Sequence, residues 1–285
     1  MLALLASGSA AVPTKPQSTL QADQDPSCAT YLAGTNVTSE AEALAYPFAR
    51  QDHAESDREV VINFGFWHTG STSFSNAMEK MGLNSCKIQI SDMRSITDYI
   101  EGSSTSSVDS AMESCDAMGD FPYFGMFPSL MRRYPKGKFV YTKQADCGTW
   151  LEHVGALLNC YPTLPLDEFH RCAYSLDAGF YPMQDQMTAT KYLEGCVAME
   201  RSIVLTARAL KVPLLVLPTS FTDEETMGAI DNFLHTSPRT RNFTEYPYSH
   251  TPSCAREGTP TAPAGWVDPN AELFARVTPA DAVLR

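Results

Sequence analysis

The sequence predicts a single α/β domain of three layers, with helices on both faces of a central, mostly parallel sheet. Three observations predict it. Short β-branched and apolar runs alternate with longer amphipathic stretches, the order that builds a parallel sheet through crossover helices. The runs are apolar throughout rather than alternating, as strands buried on both faces are. The first run, Glu59-Val-Val-Ile-Asn-Phe-Gly65, passes directly into Phe66-Trp-His-Thr-Gly-Ser-Thr72 and then a helical pattern. That is the strand–loop–helix order of a phosphate-binding loop.

Residues 1–57 are rich in Ala, Ser, Thr, Gln and Asp, and read as a tail, a loosely attached arm or the remnant of a signal or anchor segment. The domain is expected over 58–250. After its first strand, Phe74, Met78 and Met81 lie at i, i+4 and i+7 on one helix face that stops near Gly82. Lys87-Ile-Gln-Ile is a candidate short strand, and Gly102-Ser-Ser-Thr-Ser-Ser a flexible loop. Phe127 to Tyr134 forms a short helix stopped by Pro135 and Gly137. Lys138 to Thr142 is a strand, Thr149 to Leu158 a helix, and Thr188 to Lys211 a long helix feeding the strand Pro213 to Leu217. Asp223-Glu-Glu opens a last helix, with its acids where the dipole favours them. Residues 251–285 are expected to be an irregular C-terminal extension.

The 285 residues are 44% hydrophobic, enough for one sizeable core, and carry a formal net charge of −12. Nucleic acid and anionic membranes are excluded as main partners because both repel so acidic a surface at long range. A small anion remains bindable where Lys, Arg and backbone N–H groups are gathered locally. No run of 18 apolar residues is present, so nothing in the sequence reads as a membrane span. The eight cysteines include no C-x-x-C pair, which argues against a zinc site and fits up to four disulfides. Two sequons, Asn36-Val-Thr and Asn242-Phe-Thr, agree with a secretory lumen, the cytoplasm being the alternative.

The turn after the first strand carries the chemistry. Its glycines let backbone N–H groups wrap an anion, and the following helix adds its positive dipole end and the hydroxyls of Ser71, Thr72 and Ser73. Ser71 stands where a nucleoside triphosphatase has its Lys, and no later Asp stands out as a metal-holding residue at a strand end. A nucleotide kinase-like enzyme is therefore the weaker reading.

Val61-Ile-Asn-Phe-Gly-Phe-Trp-His-Thr-Gly-Ser-Thr-Ser-Phe74 resembles the 5′-phosphosulfate loop of sulfotransferases, commonly GFPKTGTTSL. The resemblance continues through Asp120-Phe-Pro-Tyr, Tyr134-Pro-Lys-Gly-Lys-Phe-Val-Tyr and Asp146-Cys-Gly-Thr-Trp-Leu-Glu-His153 to Tyr246-Pro-Tyr-Ser-His250, roughly residues 60–250. It implies 3′-phosphoadenosine 5′-phosphosulfate as sulfuryl donor, no metal, and a hydroxyl or amine of a small molecule or glycan as acceptor. By the same resemblance Trp67, His68, Thr69, Gly70, Ser71, Thr72 and Ser73 hold the phosphosulfate. His68 replaces the family's Lys and would stabilise charge on the leaving phosphate. Ala145 falls where the family has the Arg that binds the 3′-phosphate, with Lys143 as the substitute. His153 falls on the family's 3′-phosphate-binding Ser, and Arg239 or Arg241 would close over the nucleotide. Asp120 is the candidate general base for the acceptor. The departures at His68 and Ala145 motivate a second reading, a binding protein that keeps the fold without transfer.

Plainer roles stand beside these. Asp120 is equally placed to cap the turn before Pro122, Trp150 to fill the core, Lys143 to sit on the surface, and Arg132 and Arg133 to line a solvated helix face.

Overall fold

A computed structural model describes residues 37–45, 55–65, 69–86, 93–101, 106–119, 123–160, 186–234, 246 and 261–284. Among them, six strands form one sheet: Val61–Asn63 (β1), Ser85–Cys86 (β2), Ala117–Met118 (β3), Lys138–Lys143 (β4), Leu214–Pro218 (β5) and Val283–Leu284 (β6). Their order is β2-β3-β1-β4-β5-β6, parallel except for β6, which runs antiparallel to β5. The helices are Glu40–Ala45 (α1), Ser71–Lys80 (α2), Met93–Glu101 (α3), Ser106–Met112 (α4), Phe127–Arg133 (α5), Cys147–Cys160 (α6), Gln186–Leu210 (α7), Asp223–Leu234 (α8) and Ala271–Phe274 (α9).

Side chains alternate across a strand, so each strand supplies both faces of the sheet. On one face Val61, Val140, Leu215 and Leu217 pack with Phe74 and Met78 of α2 and Met227, Ile230 and Phe233 of α8. On the other, Ile62, Phe64, Phe139, Tyr141 and Val216 pack with residues of α3 to α7. Phe64 stacks on Phe139 at 5.8 Å and meets Phe127 edge-on at 6.0 Å, the arrangements that aromatic quadrupoles favour. Three layers around a mostly parallel sheet result, as expected.

The differences have local causes. β2 and β3 are two residues each, too short to show a strand pattern. They are held by the Cys86–Cys115 disulfide and by the Arg58 guanidinium, which donates to the carbonyls of Met112 and Cys115 at 3.0 and 2.8 Å. Of the glycine–serine stretch expected as a loop, Ser106 and Ser107 already belong to α4, while 102–105 and the candidate strand 87–90 lie outside the described residues. Residues 261–284 are not wholly irregular: they contribute α9 and β6, with Ala282 buried against the sheet. Within 1–57, α1 docks on α7, where the Val37 N–H donates to Ser202 Oγ at 2.7 Å. Arg132 and Arg133 are half-buried rather than solvated. Arg132 donates to the Ala43 carbonyl at 2.9 Å, and Arg133 pairs with Asp109 at 3.0 Å.

Candidate functional site

The strand order reverses direction between β1 and β4. From β1 the chain leaves toward β2 on one side of the sheet; from β4 it leaves toward β5 on the other. Crevices that bind ligands in open α/β sheets form at the carboxyl ends of such a strand pair. Here that place is framed by Asn63, Gly65, Thr69 and Thr142.

Asn63 is the last residue of β1 and fully buried. Its Oδ1 accepts from the backbone N–H of Gly65 at 2.9 Å and of Thr142 at 3.2 Å. Its Nδ2 donates to Thr142 Oγ1 at 3.1 Å, and that hydroxyl lies 3.1 Å from Thr69 Oγ1. Gly65 is glycine for a steric reason: a Cβ there would overlap Thr142 Oγ1 and stand 2.6 Å from Thr69 Oγ1. Gly70 then turns the chain with φ +90°, a left-handed conformation that glycine adopts without strain, and α2 begins. The N-cap residue Gly70 has no side chain with which to cap α2, and the N–H of Phe74 reaches back to the Gly70 carbonyl at 2.9 Å. Ser71 and Ser73 are buried at this end and Thr72 partly so. The arrangement brings a helix N-terminus and several hydroxyls to this place, groups that can meet a small anion.

A family model described as a sulfotransferase domain matches residues 60–203, about half of the chain. The chain belongs to the sulfotransferase family. No curated protein matches it. The match begins one residue before β1 and runs into α7, so it covers the whole frame around Thr142.

In this sulfotransferase domain Thr69 and Gly70 form the turn into α2, and Ser71, Thr72 and Ser73 are its first residues. Trp67, His68, Asp120, Arg239 and Arg241 lie outside the described residues. His153 is exposed on α6, whose first turn is capped by Asp146: Oδ1 accepts from the Thr149 N–H at 2.7 Å. Ala145 is exposed in the turn before α6, and Trp150 is buried near Tyr192, as a core residue.

Lys143 departs from both readings the sequence suggested. It is neither on the surface nor turned to the crevice. Because alternate residues of β4 face opposite sides, Thr142 points to the loop while Lys143 points with Phe139 and Tyr141 toward α7. There its ammonium lies 3.3 Å from Glu200 Oε1, both residues being 2% exposed. It donates to the Ala145 carbonyl at 3.0 Å and sits 4.6 Å from the ring centre of Phe274. Glu200 also accepts from the Tyr141 hydroxyl at 3.2 Å and from Asn270 Nδ2 at 3.3 Å. Burial raises the Glu200 carboxyl above the ordinary range, against the pull of Lys143, and burial with Glu200 alongside raises the Tyr141 phenol well above its own. The Cys147–Cys196 disulfide flanks this pair, tying α6 to α7. Its sulfurs and Glu200 converge within 4.8 Å. Bonded to each other, they offer no thiolate to a metal.

Sequence reasoning missed Asn63 and Thr142 as parts of the site. A signal was present: an amide and a hydroxyl at the ends of two otherwise apolar runs, one of them two residues before a glycine.

Two described disulfides fit an oxidising compartment. No helix among the described residues is long and apolar enough to cross a membrane. Asn36 and Asn242, with Cys28, Cys172 and Cys254, lie outside those residues.

Proposed function

We propose that this sulfotransferase moves a sulfuryl group from 3′-phosphoadenosine 5′-phosphosulfate to a hydroxyl or amine of a small molecule or glycan, in the secretory lumen. The single observation that carries the donor assignment is the space at Gly65. At Gly65 the chain passes so close to Thr142 and Thr69 that even a methyl group is excluded, and left-handed Gly70, which has no side chain to cap the helix, leads into the N-terminus of α2. Such a cradle suits a tetrahedral anion bound by backbone N–H groups.

Transfer is an in-line displacement: the acceptor oxygen or nitrogen attacks sulfur while the bridging S–O bond breaks and its electron pair leaves with the nucleotide phosphate. Thr69, Ser71, Thr72 and Ser73, with the α2 amides, orient the 5′ end, and Trp67 and His68 complete the loop. His68 donates a hydrogen bond toward the leaving oxygen. Asp120 takes the acceptor proton; Gly119, the residue before it, stands so close to Asn63 that a Cβ would lie 3.1 Å from the Asn63 Cβ. His153, Arg239 and Arg241 serve the 3′-phosphate. Lys143 leaves the ligand set, because its charge is committed to Glu200.

That commitment favours a second reading. With Lys143 turned away and Ala145 in place of an arginine, a binding protein without transfer becomes a specific alternative. The test is calorimetric titration with 3′-phosphoadenosine 5′-phosphate in the absence of metal, followed by transfer of labelled sulfate to an acceptor panel. Binding in roughly the micromolar range, lost in Ser71→Asp, is expected, with transfer abolished in Asp120→Ala. Binding without transfer to any acceptor would select the second reading. Binding only of ATP, and only with Mg²⁺, would return the kinase-like reading.

A further inference from the structure

We infer that Thr142, braced by Asn63, is a positioning residue of the donor site: its hydroxyl is the pivot on which both ends of the 65–69 loop are fixed. The inference rests on the donor reading of that loop and adds to it a residue on a different strand.

β1 ends at Asn63, whose register partner is Val140, and the Phe64 N–H still donates to the Val140 carbonyl at 2.8 Å. β4 continues to Lys143 with no β1 residue beside it. The Thr142 N–H would face an empty edge, and a buried unpaired amide costs about 1–3 kcal/mol. Asn63 Oδ1 takes the place of the missing strand carbonyl. The same oxygen accepts from the Gly65 N–H, so one side chain ends the strand and aims the first loop residue. Thr142 Oγ1 then receives the Asn63 amide and meets the Thr69 hydroxyl at the far end of the loop. Gly65 packs against that same oxygen. Entry and exit of the loop therefore converge on one hydroxyl, and every group of the brace is buried.

None of this brace carries charge, so its contribution is geometric. It fixes where the loop starts at Gly65 and ends at Thr69 before a ligand arrives, which lowers the ordering that binding would otherwise require. It also ties the loop to the turn that follows β4, the segment leading through Ala145 to α6.

Thr142→Val keeps the β-branching of the side chain and replaces the hydroxyl with a methyl group, which can neither donate nor accept. Thr142→Ser restores the hydroxyl, and Thr69→Val removes its partner from the loop side should Thr142→Val fail to fold. Each is to be titrated with 3′-phosphoadenosine 5′-phosphate, melted, and followed by amide hydrogen exchange across 65–74 without ligand. We expect Thr142→Val and Thr69→Val to weaken binding about tenfold, the size of one lost buried hydrogen bond. Exchange should rise in 65–74 but not in β5 or α7, and Thr142→Ser should recover both. Unchanged affinity together with unchanged loop exchange in the valine variants would overturn the inference. So would uniform exchange increases across the sheet, which mark a merely structural residue. Wild-type protein that fails to bind the nucleotide would overturn the donor reading instead, while the exchange data would still decide the brace.

Discussion

The carboxyl end of β4 has two sides that solve different problems. On one side Thr142 meets Asn63, Thr69 and Gly65 in an uncharged frame of hydrogen bonds beside the start of α2. On the other, Lys143 meets Glu200 and the ring of Phe274, while Tyr141 and Asn270 satisfy the carboxylate. One peptide bond separates them. The charged side is closed on itself, its cation and anion cancelling and its hydrogen bonds made within the protein. The uncharged side lies beside the N-terminal end of α2. Under the proposed donor reading, an anion site in a chain of net charge −12 would draw on backbone and hydroxyls, while buried Lys143 is paired with Glu200.

The largest expected effect lies on the charged side. Glu200→Ala leaves Lys143 buried without its counter-ion, and removal of one partner of such a pair costs about 3–5 kcal/mol. Urea unfolding at neutral pH should show that loss, with nucleotide affinity of the folded fraction near wild type. The double variant Lys143→Met, Glu200→Met should recover most of the stability, because two apolar side chains replace a desolvated pair. If Glu200→Ala instead abolished nucleotide binding in folded protein, Lys143 would return to the donor site and the division between the two sides would collapse.

Gly65→Ala attacks the other side. Its methyl group must displace both Thr142 Oγ1 and Thr69 Oγ1, and overpacking of this kind costs about 1–3 kcal/mol. Here the expectation is reversed: a moderate fall in melting temperature with severe loss of nucleotide binding. A variant that melted lower yet bound normally would separate the frame from the site.

How much of this was legible in the sequence follows from the physics of each part. β1, β4, β5 and the long helix α7 announce themselves through apolar runs and helical spacing, because each buries a face by its own pattern. The glycines and hydroxyls of 65–73 announce the loop for the same local reason. Lys143 could not be placed that way. Whether a lysine at a strand end turns to solvent, ligand or core depends on which face it occupies and on what stands across from it. Glu200 is 57 residues further along the chain, a separation read from the numbering of their ion pair. Asn270 and Phe274 arrive from a segment that, with its prolines and short elements, carries no periodic signal. β6 likewise exists only because β5 offers it an edge. The sequence expectation for Lys143 treated it by type, as a cation near an expected phosphate; alternation along β4 decided its direction.

The smallest expected effect is a slope in pH. Burial raises the Glu200 carboxyl above its ordinary value, with Asp268 pushing the same way and Lys143 and Asn270 opposing. A raised carboxyl holds its proton in the folded state when the unfolded chain has already released it. Its contribution is therefore fully present below the ordinary carboxylate range and declines as pH rises through the raised value. Each unit of difference corresponds to about 1.4 kcal/mol. Urea midpoints measured in steps from about pH 4 to about pH 7 should fall along this window by more in wild type than in Glu200→Gln, which has no proton to lose. The wild-type slope should be unaffected by saturating nucleotide, since the titrating group, on α7, faces Lys143, Tyr141 and Asn270 and not the loop. Equal slopes in the two proteins would mean that Lys143 offsets the burial of Glu200 fully. A slope altered by nucleotide would mean that the two sides of β4 communicate through Thr142.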